Sequence, residues 1–185
     1  MGIRRTMMRP AVFLDRDGVI NRAFIRDGTP HPPASLQDLE ILPHVPEALR
    51  ALKIRGYSLV VVTNQPDVAR GTSSQELVDS IHERLKSTLD LDAIFTCFHD
   101  DADACDCRKP KPGLLHRAAD DLGIDLPSSF MIGDRRRDVE AGKRAGCRTF
   151  FVDCSYRERL PSSFDFRVGS LIEASRIILA QTDSR

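Results

Sequence analysis

The sequence has no excess of either charge and no long hydrophobic run. Its 185 residues include 27 Lys and Arg against 27 Asp and Glu, so the formal net charge is zero. A neutral chain is not typical of a protein that binds the phosphate backbone of a nucleic acid over a wide surface. The longest apolar runs, such as residues 59–62, are far shorter than the roughly 18–20 residues of a membrane span. We therefore expect no nucleic-acid partner and no membrane segment.

The N-terminus has little that identifies a targeting segment. Residues 1–9 are basic, but the apolar stretch over residues 11–14 ends at Asp15 and is too short for a secretory signal. Gly2 and Thr6 fit a myristoylation pattern, but no second membrane signal accompanies them. We expect residues 1–9 to be a flexible tail.

Cysteines are few, and their odd count of five does not predict a disulfide framework. Cys97, Cys105 and Cys107 cluster, whereas Cys147 and Cys154 lie near apolar, strand-like sequence. Without a signal peptide, a reducing cytoplasm is the expected compartment.

Short apolar runs alternate with segments of helical period. The runs show no strict polar alternation, which predicts parallel strands buried on both faces. Helices are predicted between them from proline, glycine and capping-box positions. The alternation predicts an α/β fold with a doubly wound, Rossmann-like parallel sheet in one domain over residues 1–185. The predicted strands are 11–14, 59–62, 93–96, 130–132, 149–152 and 166–168, and the predicted helices are 47–54, the segment after the box at 73–76, 112–123, 136–145 and the segment after the box at 170–173. The proline-rich stretch 21–44 is expected to cross the edge of the sheet.

Polar side chains follow three of the predicted strands. Asp15 and Asp17 come after the first strand, Thr63 after the second, and Asp134 after the strand at 130–132. Because ligands bind at the carboxyl ends of the strands in a doubly wound sheet, we expect these side chains to meet at one edge.

The predicted edge suits a metal ion and a phosphoryl group. Converging carboxylates repel one another unless a cation joins them, and Mg²⁺ prefers carboxylate and phosphate oxygens. Lys109 precedes the helix that Pro112 opens, and both a lysine and a helix start favour an anion. These groups together suit phosphoryl transfer. The chain has neither a GxGxxG nor a Walker-type loop, so neither a dinucleotide nor a nucleoside triphosphate is indicated.

Each of these residues also has an ordinary structural explanation. An Asp at a strand end is more often a turn former or a helix cap, Thr63 and Asn64 could form a turn, and Lys109 could be a solvated charge. The combination of all of them, in this order at strand ends, favours a catalytic site.

Four segments resemble the motifs of the haloacid dehalogenase superfamily of phosphatases. Residues 13–21, Phe-Leu-Asp-Arg-Asp-Gly-Val-Ile-Asn, resemble the DxDG first motif. Residues 63–65 resemble the second motif, Lys109 the third, and residues 133–138 the fourth, GDxxxD. The resemblance covers about residues 10–153, and the four motifs together are very specific.

The resemblance implies a role for each matching residue. Asp15 would be the nucleophile that forms an aspartyl-phosphate, and Asp17 would protonate the leaving alcohol and then activate water. A carboxylate nucleophile divides hydrolysis into two steps, in which a second carboxylate acts as acid and then as base. Asp15, Asp134 and the backbone carbonyl of Asp17 would hold Mg²⁺, while Thr63 and Lys109 would hold the phosphoryl oxygens.

Further residues are implied at the edge of the site. Asn64, Gln65 and Arg108 would bind substrate, and Asp138 would orient Lys109 or the waters of the metal. Arg108 would touch the distal part of the substrate, because its planar fork suits a second phosphate or sugar oxygens.

Three thiols and an imidazole lie within eleven residues, at Cys97, His99, Cys105 and Cys107. This is a ligand set for tetrahedral Zn²⁺, and four protein ligands leave no open position, so we expect a structural zinc site. The alternative is three ordinary thiols and a surface histidine. The acidic neighbours Asp100, Asp101, Asp103 and Asp106 are expected to be a solvated face of the loop.

Residues 97–113 resemble one branch of the superfamily, subfamily IIIA, which contains the D-glycero-D-manno-heptose 1,7-bisphosphate 7-phosphatases and the histidinol-phosphate phosphatases. The resemblance implies little or no cap domain and a loop that pins Arg108 and Lys109 beside the phosphate. The chain departs from the pattern at Pro66 and Asp67, at Phe98, and over residues 22–28, which lie near the sugar in heptose phosphatases.

The leading hypothesis is a Mg²⁺-dependent phosphatase acting on a small phosphorylated sugar, heptose 1,7-bisphosphate at position 7. Histidinol phosphate or another phosphorylated metabolite is the alternative substrate. A different class of function is a zinc-stabilised module with a vestigial active site that binds nucleic acid through residues 135–137. The intact set of Asp15, Asp17, Thr63, Lys109 and Asp134 disfavours it. The three arginines are expected to form a solvated face, with lining of the phosphate site as the alternative for Arg135. We expect a monomer.

Overall fold

The computed structural model describes residues 8–182. They form eight β-strands and five α-helices, joined by loops and short 3₁₀ turns. The strands are β1 (Ala11–Leu14), β2 (Phe24–Arg26), β3 (Thr29–His31), β4 (Ser58–Asn64), β5 (Ala93–Cys97), β6 (Phe130–Gly133), β7 (Arg148–Val152) and β8 (Phe166–Val168). The helices are α1 (Val45–Ile54), α2 (Gln75–Thr88), α3 (Gly113–Leu122), α4 (Arg136–Arg144) and α5 (Leu171–Thr182).

Six of the strands form one parallel sheet in the order β5-β4-β1-β6-β7-β8. The predicted doubly wound sheet is confirmed, and each predicted strand lies within an observed one. The apolar runs predicted these strands because nearly every residue of the central strands is buried.

The sheet lies between two helical layers. Alternate residues of a strand face opposite sides, so Leu59 and Val61 of β4 pack in one apolar cluster with side chains of α1, α2 and α5. Val60 and Val62 pack in the other cluster with side chains of α3 and α4. Within residues 8–182, none of the helices combines the length and apolar character needed to cross a bilayer.

The stretch 21–44 contains a structure that was not predicted. Strands β2 and β3 pair antiparallel in a hairpin, and Asp27 and Gly28 at its turn both have positive φ, 52° and 80°. An Asp-Gly pair is the usual signal for this type of two-residue turn. The prolines around it obscured that signal in the sequence.

The two predicted capping boxes differ from the structure in detail. Helix α2 begins one residue later than the expected box at 73–76, because Ser74 rather than Ser73 is its N-cap and accepts a hydrogen bond from Leu77 N at 3.1 Å. Before α5, Ser170 accepts from Glu173 N at 3.4 Å, but the Glu173 carboxylate accepts from Gly169 N.

The predicted flexible tail falls largely on residues 1–7, which lie outside the described residues, as do Gly2 and Thr6. Arg9 is hydrogen bonded to the chain: its N–H donates to Gly123 O, and its carbonyl accepts from Asp125 N, both at 3.0 Å.

The register of the sheet brings three strand ends to the same level. Leu14 of β1 lies beside Val61 of β4 and Ile132 of β6. One or two residues further along the chain from these positions are Asp15, Thr63 and Asp134. Their side chains therefore lie together at one edge of the sheet.

Candidate active site

Three carboxylates meet at the carboxyl edge of the sheet. Oxygens of Asp15, Asp134 and Asp138 all lie within 4.8 Å of one another, and all three residues are buried. One oxygen of Asp134, Oδ1, is buried without a hydrogen-bond partner in the described part of the chain. Hard oxygen ligands of this kind suit Mg²⁺, and the unpartnered oxygen leaves a place for a cation. The carboxylate of Asp17 is not part of this group. Only the backbone carbonyl of Asp17 was expected to bind the metal.

Lys109 supplies the positive charge at this group. Its Nζ donates to Asp15 Oδ1 at 2.7 Å and to Val62 O at 2.8 Å, and it lies 2.6 Å from Asp138 Oδ1. The side chain is 1% exposed, so the alternative that Lys109 is a solvated charge is wrong. Asp138 makes the contact with Lys109 that the sequence suggested.

Burial and crowding shift the ionisation of the carboxylates. Burial raises the pKa of Asp15 from its ordinary value of 3.8 to about 6, with the Lys109 charge acting against the rise. Burial, followed by the charges of Asp15 and Asp138, raises the pKa of Asp134 well above its ordinary value. Burial opposes the ammonium form of Lys109, but Asp138 and Asp15 outweigh it and raise the Lys109 pKa. One ammonium facing three carboxylates leaves negative charge that a divalent cation would neutralise.

A second polar group holds the side chain of Asp17. Its carboxylate accepts hydrogen bonds from Arg16 Nη2, Asn21 Nδ2 and Gln65 Nε2, each at 2.9 Å. Arg16 is fully buried. The second terminal nitrogen of its guanidinium, Nη1, lies 3.1 Å from His82 Nε2. Because Arg can only donate, His82 Nε2 is the acceptor. Burial, aided by the Arg16 charge, lowers the pKa of His82 to about 4, which keeps the ring neutral.

The last two residues of β4 and the residue after it serve the site in different ways. Thr63 Oγ1 accepts from Gln65 Nε2 at 2.9 Å. Asn64 accepts from Lys109 N at 3.1 Å and donates to Lys109 O at 3.0 Å, so its amide holds the backbone that positions the lysine. Asn64 and Gln65 also line the cavity described next.

A cavity of about 280 Å³ opens above the carboxylates. The hairpin covers one side with Thr29 to Pro32, and Gly28 O accepts from Arg157 N at 3.0 Å, which ties the hairpin to the loop after β7. Five cationic side chains line the cavity: Arg70, Arg108, Lys109, Arg135 and Arg137.

Two expectations about charged residues around this cavity hold only in part: Asp101, Asp103 and Asp106 are exposed as expected, but two of the loop aspartates also have partners. Asp100 and Asp101 are not merely solvated, because Asp100 accepts from Arg70 Nη2 and Asp101 from Arg108 Nε, both at 2.6 Å. The arginine run is not a solvated face throughout, and the alternative that Arg135 lines the phosphate site agrees with its position. Arg135 and Arg137 line the cavity, and Arg135 also binds Glu158; only Arg136, paired with Glu140 on α4, is directed elsewhere.

At this site, Tyr156 was not identified from the sequence, and Gly18 was identified only as part of the first motif, without a role. Tyr156 donates a hydrogen bond from its hydroxyl to Asp134 Oδ2 at 2.7 Å. Gly18 has φ of +92°, and a Cβ there would lie 2.7 Å from Tyr156 Oη and closer still to Asp134. The Gly18 backbone can therefore approach the carboxylate only because it has no side chain. The one sequence signal for Tyr156 was its place after β7, at the same edge of the sheet.

The predicted zinc ligands form a second cluster. Ligand atoms of Cys97, His99, Cys105 and Cys107 lie within 4.8 Å of one another. The sulfur atoms are 3.3–3.7 Å apart, close to the roughly 3.7 Å expected around a tetrahedral ion with bonds of about 2.3 Å. Arg108 and Lys109 follow Cys107 directly in the chain. The backbone carbonyl of His99 accepts a hydrogen bond from Arg108 Nη1 at 3.2 Å.

A parallel α/β sheet with buried carboxylates and a buried lysine at its carboxyl edge is an arrangement suited to the hydrolysis of phosphate esters. Residues 31–146 match the model of the haloacid dehalogenase-like hydrolases. The chain belongs to this family, and it is a phosphatase.

Several relatives at about 40% identity carry the same name. A D-glycero-beta-D-manno-heptose-1,7-bisphosphate 7-phosphatase from Photorhabdus laumondii is 43% identical over 148 residues, which cover 74% of this chain and 76% of that protein. The protein of the same name from Escherichia coli K12 is 39% identical, with 76% of each chain covered. The crystal structure of D,D-heptose 1,7-bisphosphate phosphatase from B. bronchiseptica, complexed with magnesium and phosphate, superposes with a TM-score of 0.79 at 29% identity and covers 93% of this chain and 99% of that one.

Proposed function

We propose that this chain is a Mg²⁺-dependent phosphatase that removes the 7-phosphate of D-glycero-D-manno-heptose 1,7-bisphosphate through an aspartyl-phosphate. The observation that supports this best is the buried group of Asp15, Asp134, Asp138 and Lys109 beneath an arginine-lined cavity. The named activity of the relatives supports the choice of sugar.

In the proposed reaction, Asp15 attacks phosphorus, and the bond between phosphorus and the sugar oxygen breaks as the new bond to the carboxylate forms. Asp17 gives a proton to the leaving alkoxide. In the second step Asp17 takes a proton from water, the water oxygen attacks the aspartyl-phosphate, and the Asp15 carboxylate and phosphate are released. Arg16, Asn21 and Gln65 keep Asp17 in place at the wall of the cavity.

The other groups stabilise the charge of the transferred phosphoryl group. Lys109, oriented by Asp138, and the hydroxyl of Thr63 would bind its oxygens. Asp15, Asp134 and the backbone carbonyl of Asp17 would hold Mg²⁺, which neutralises charge on a phosphoryl group. The unpartnered Oδ1 of Asp134 supports this ligand set.

The cysteine–histidine cluster is proposed to hold a structural Zn²⁺. All four protein ligands are present, so the ion would have no open position for water. By fixing the loop it would hold Arg108 and Lys109, which follow Cys107 directly.

A substrate panel tests the function. Purified protein with Mg²⁺ is assayed for phosphate release from heptose 1,7-bisphosphate, histidinol phosphate and common sugar monophosphates, with Asp15→Asn and a chelator as controls. The expected result is a highest kcat/KM for the heptose bisphosphate and no turnover in either control. A strong preference for histidinol phosphate would replace the substrate, whereas equal inertness of wild type and Asp15→Asn on every ester would reject the catalytic mechanism. The monomer predicted from the sequence stays a prediction, which light scattering tests.

A further inference from the structure

Arg137 differs from the other cationic side chains of the cavity. The other four have anionic partners: Arg70 with Asp100, Arg108 with Asp101, Lys109 with Asp15 and Asp138, and Arg135 with Glu158. The guanidinium of Arg137 makes no hydrogen bond or ion pair within residues 8–182, although it lines the same cavity. Its charge is thus available to a ligand.

Arg137 and Arg108 line the same cavity. Its positive charge reaches Asp101, whose pKa is lowered by a hydrogen bond from Arg108 and by the nearby guanidinium groups. Burial, together with the like charges of Arg135 and Arg108, lowers the pKa of Arg137 itself. The carboxylate that pairs with Arg108, that of Asp101, is largely exposed. Guanidinium groups that share one cavity repel one another and are stabilised when an anion binds between them.

A bisphosphate offers such an anion. When one phosphate lies against Asp15 and Lys109, the other must lie elsewhere in the cavity, and Arg108 is the residue next to Lys109. Arg108 is already expected to contact the second phosphate. We propose that Arg137 adds a second guanidinium to this contact, so that Arg137 is a specificity-determining residue for a bisphosphate over a monophosphate. Planar guanidinium forks suit phosphate oxygens. This inference rests on the proposed function.

The kinetic test compares two substrates in three proteins. Arg137→Gln removes the fork, and Arg136→Gln is a matched control that removes the adjacent arginine, which pairs with Glu140 and does not line the cavity. For Arg137→Gln we expect kcat/KM for the 1,7-bisphosphate to fall about 10- to 100-fold, mainly through KM. The same variant should change kcat/KM for heptose 7-phosphate less than about 3-fold, and Arg136→Gln should change neither value by more than about 2-fold. Arg137→Lys, which keeps the charge, should recover part of the loss.

A binding measurement keeps this inference separate from the proposed catalysis. Calorimetry on Asp15→Asn, with and without Arg137→Gln, gives the dissociation constants of the bisphosphate and the monophosphate without turnover. We expect Arg137→Gln to weaken only the bisphosphate. Equal weakening of both ligands, no weakening of either, or no preference of the starting protein for the bisphosphate would each overturn the assignment of Arg137. Loss of turnover on all esters with selective bisphosphate binding intact would instead reject only the phosphatase mechanism.

Discussion

Replacing Asp15 with Asn should remove a pH-dependent part of the stability of the metal-free protein. In the wild type, burial raises the pKa of Asp15 from 3.8 to about 6. The folded protein therefore takes up a proton at a pH where the unfolded chain is still ionised. For a raised pKa, the stabilisation is fully present below pH 3.8 and is lost as the pH rises through about 6. Asparagine cannot take up this proton.

The size of the effect follows from the shift. A change from 3.8 to about 6 corresponds to about 3 kcal/mol when the group is fully protonated in both states. Over the accessible interval from pH 7.5 to pH 5, the wild type should gain about 1.4 kcal/mol relative to Asp15→Asn.

The measurement is urea unfolding of both proteins in a chelator at several pH values, followed by circular dichroism. Asp121→Asn is the control, because Asp121 is an exposed carboxylate on α3 that pairs with Arg117 at the surface. The difference between wild type and Asp15→Asn should grow on acidification, and that for Asp121→Asn should stay constant. A constant Asp15→Asn difference, or one that shrinks toward pH 5, would refute the argument that burial dominates the ionisation of Asp15.

Three further predictions concern the neighbours of the site. Tyr156→Phe removes the hydrogen bond to Asp134 and should weaken the apparent activation by Mg²⁺ about 10-fold, which a titration of activity against Mg²⁺ measures; unchanged activation would contradict it. Gly18→Ala should destabilise the protein by more than Gly56→Ala, which has a similar φ of +86° but nothing within 4 Å of its added Cβ and should cost about 1 kcal/mol; equal unfolding free energies would be the contrary result. Replacing Cys105 and Cys107 by Ser should remove one equivalent of copurifying zinc by mass spectrometry and lower the melting temperature, whereas Cys154→Ser should do neither; a zinc-free wild type of full stability would argue against the metal.

The sheet and the main site residues were predictable because short stretches of sequence are enough to identify them. Runs of buried apolar residues mark parallel strands, and polar residues at the ends of these runs must share an edge once the strands are parallel. Asp15, Thr63 and Asp134 could be placed together on this basis, and the spacing of the cysteines was enough to predict their cluster.

Contacts between distant segments could not be predicted in the same way. His82 lies beside Ile81 on the buried face of α2, and its pattern alone favours an ordinary core position. Its contact with Arg16 depends on how α2 packs against the loop after β1. The partners of Asp100 and Asp101 likewise depend on where the cavity arginines lie, so a run of aspartates appeared to be only a solvated loop.

The backbone hydrogen bond from Arg157 N to Gly28 O joins the hairpin to the loop after β7. The same loop supplies Tyr156 to Asp134 and Glu158 to Arg135. If the hairpin alone were replaced by that of a relative to change the substrate, it would no longer match the loop after β7. The loop would then shift, and the position of Asp134, which it holds through Tyr156, would change. Swapping the two segments as a pair is the design that leaves the chemistry intact while the entrance is rebuilt.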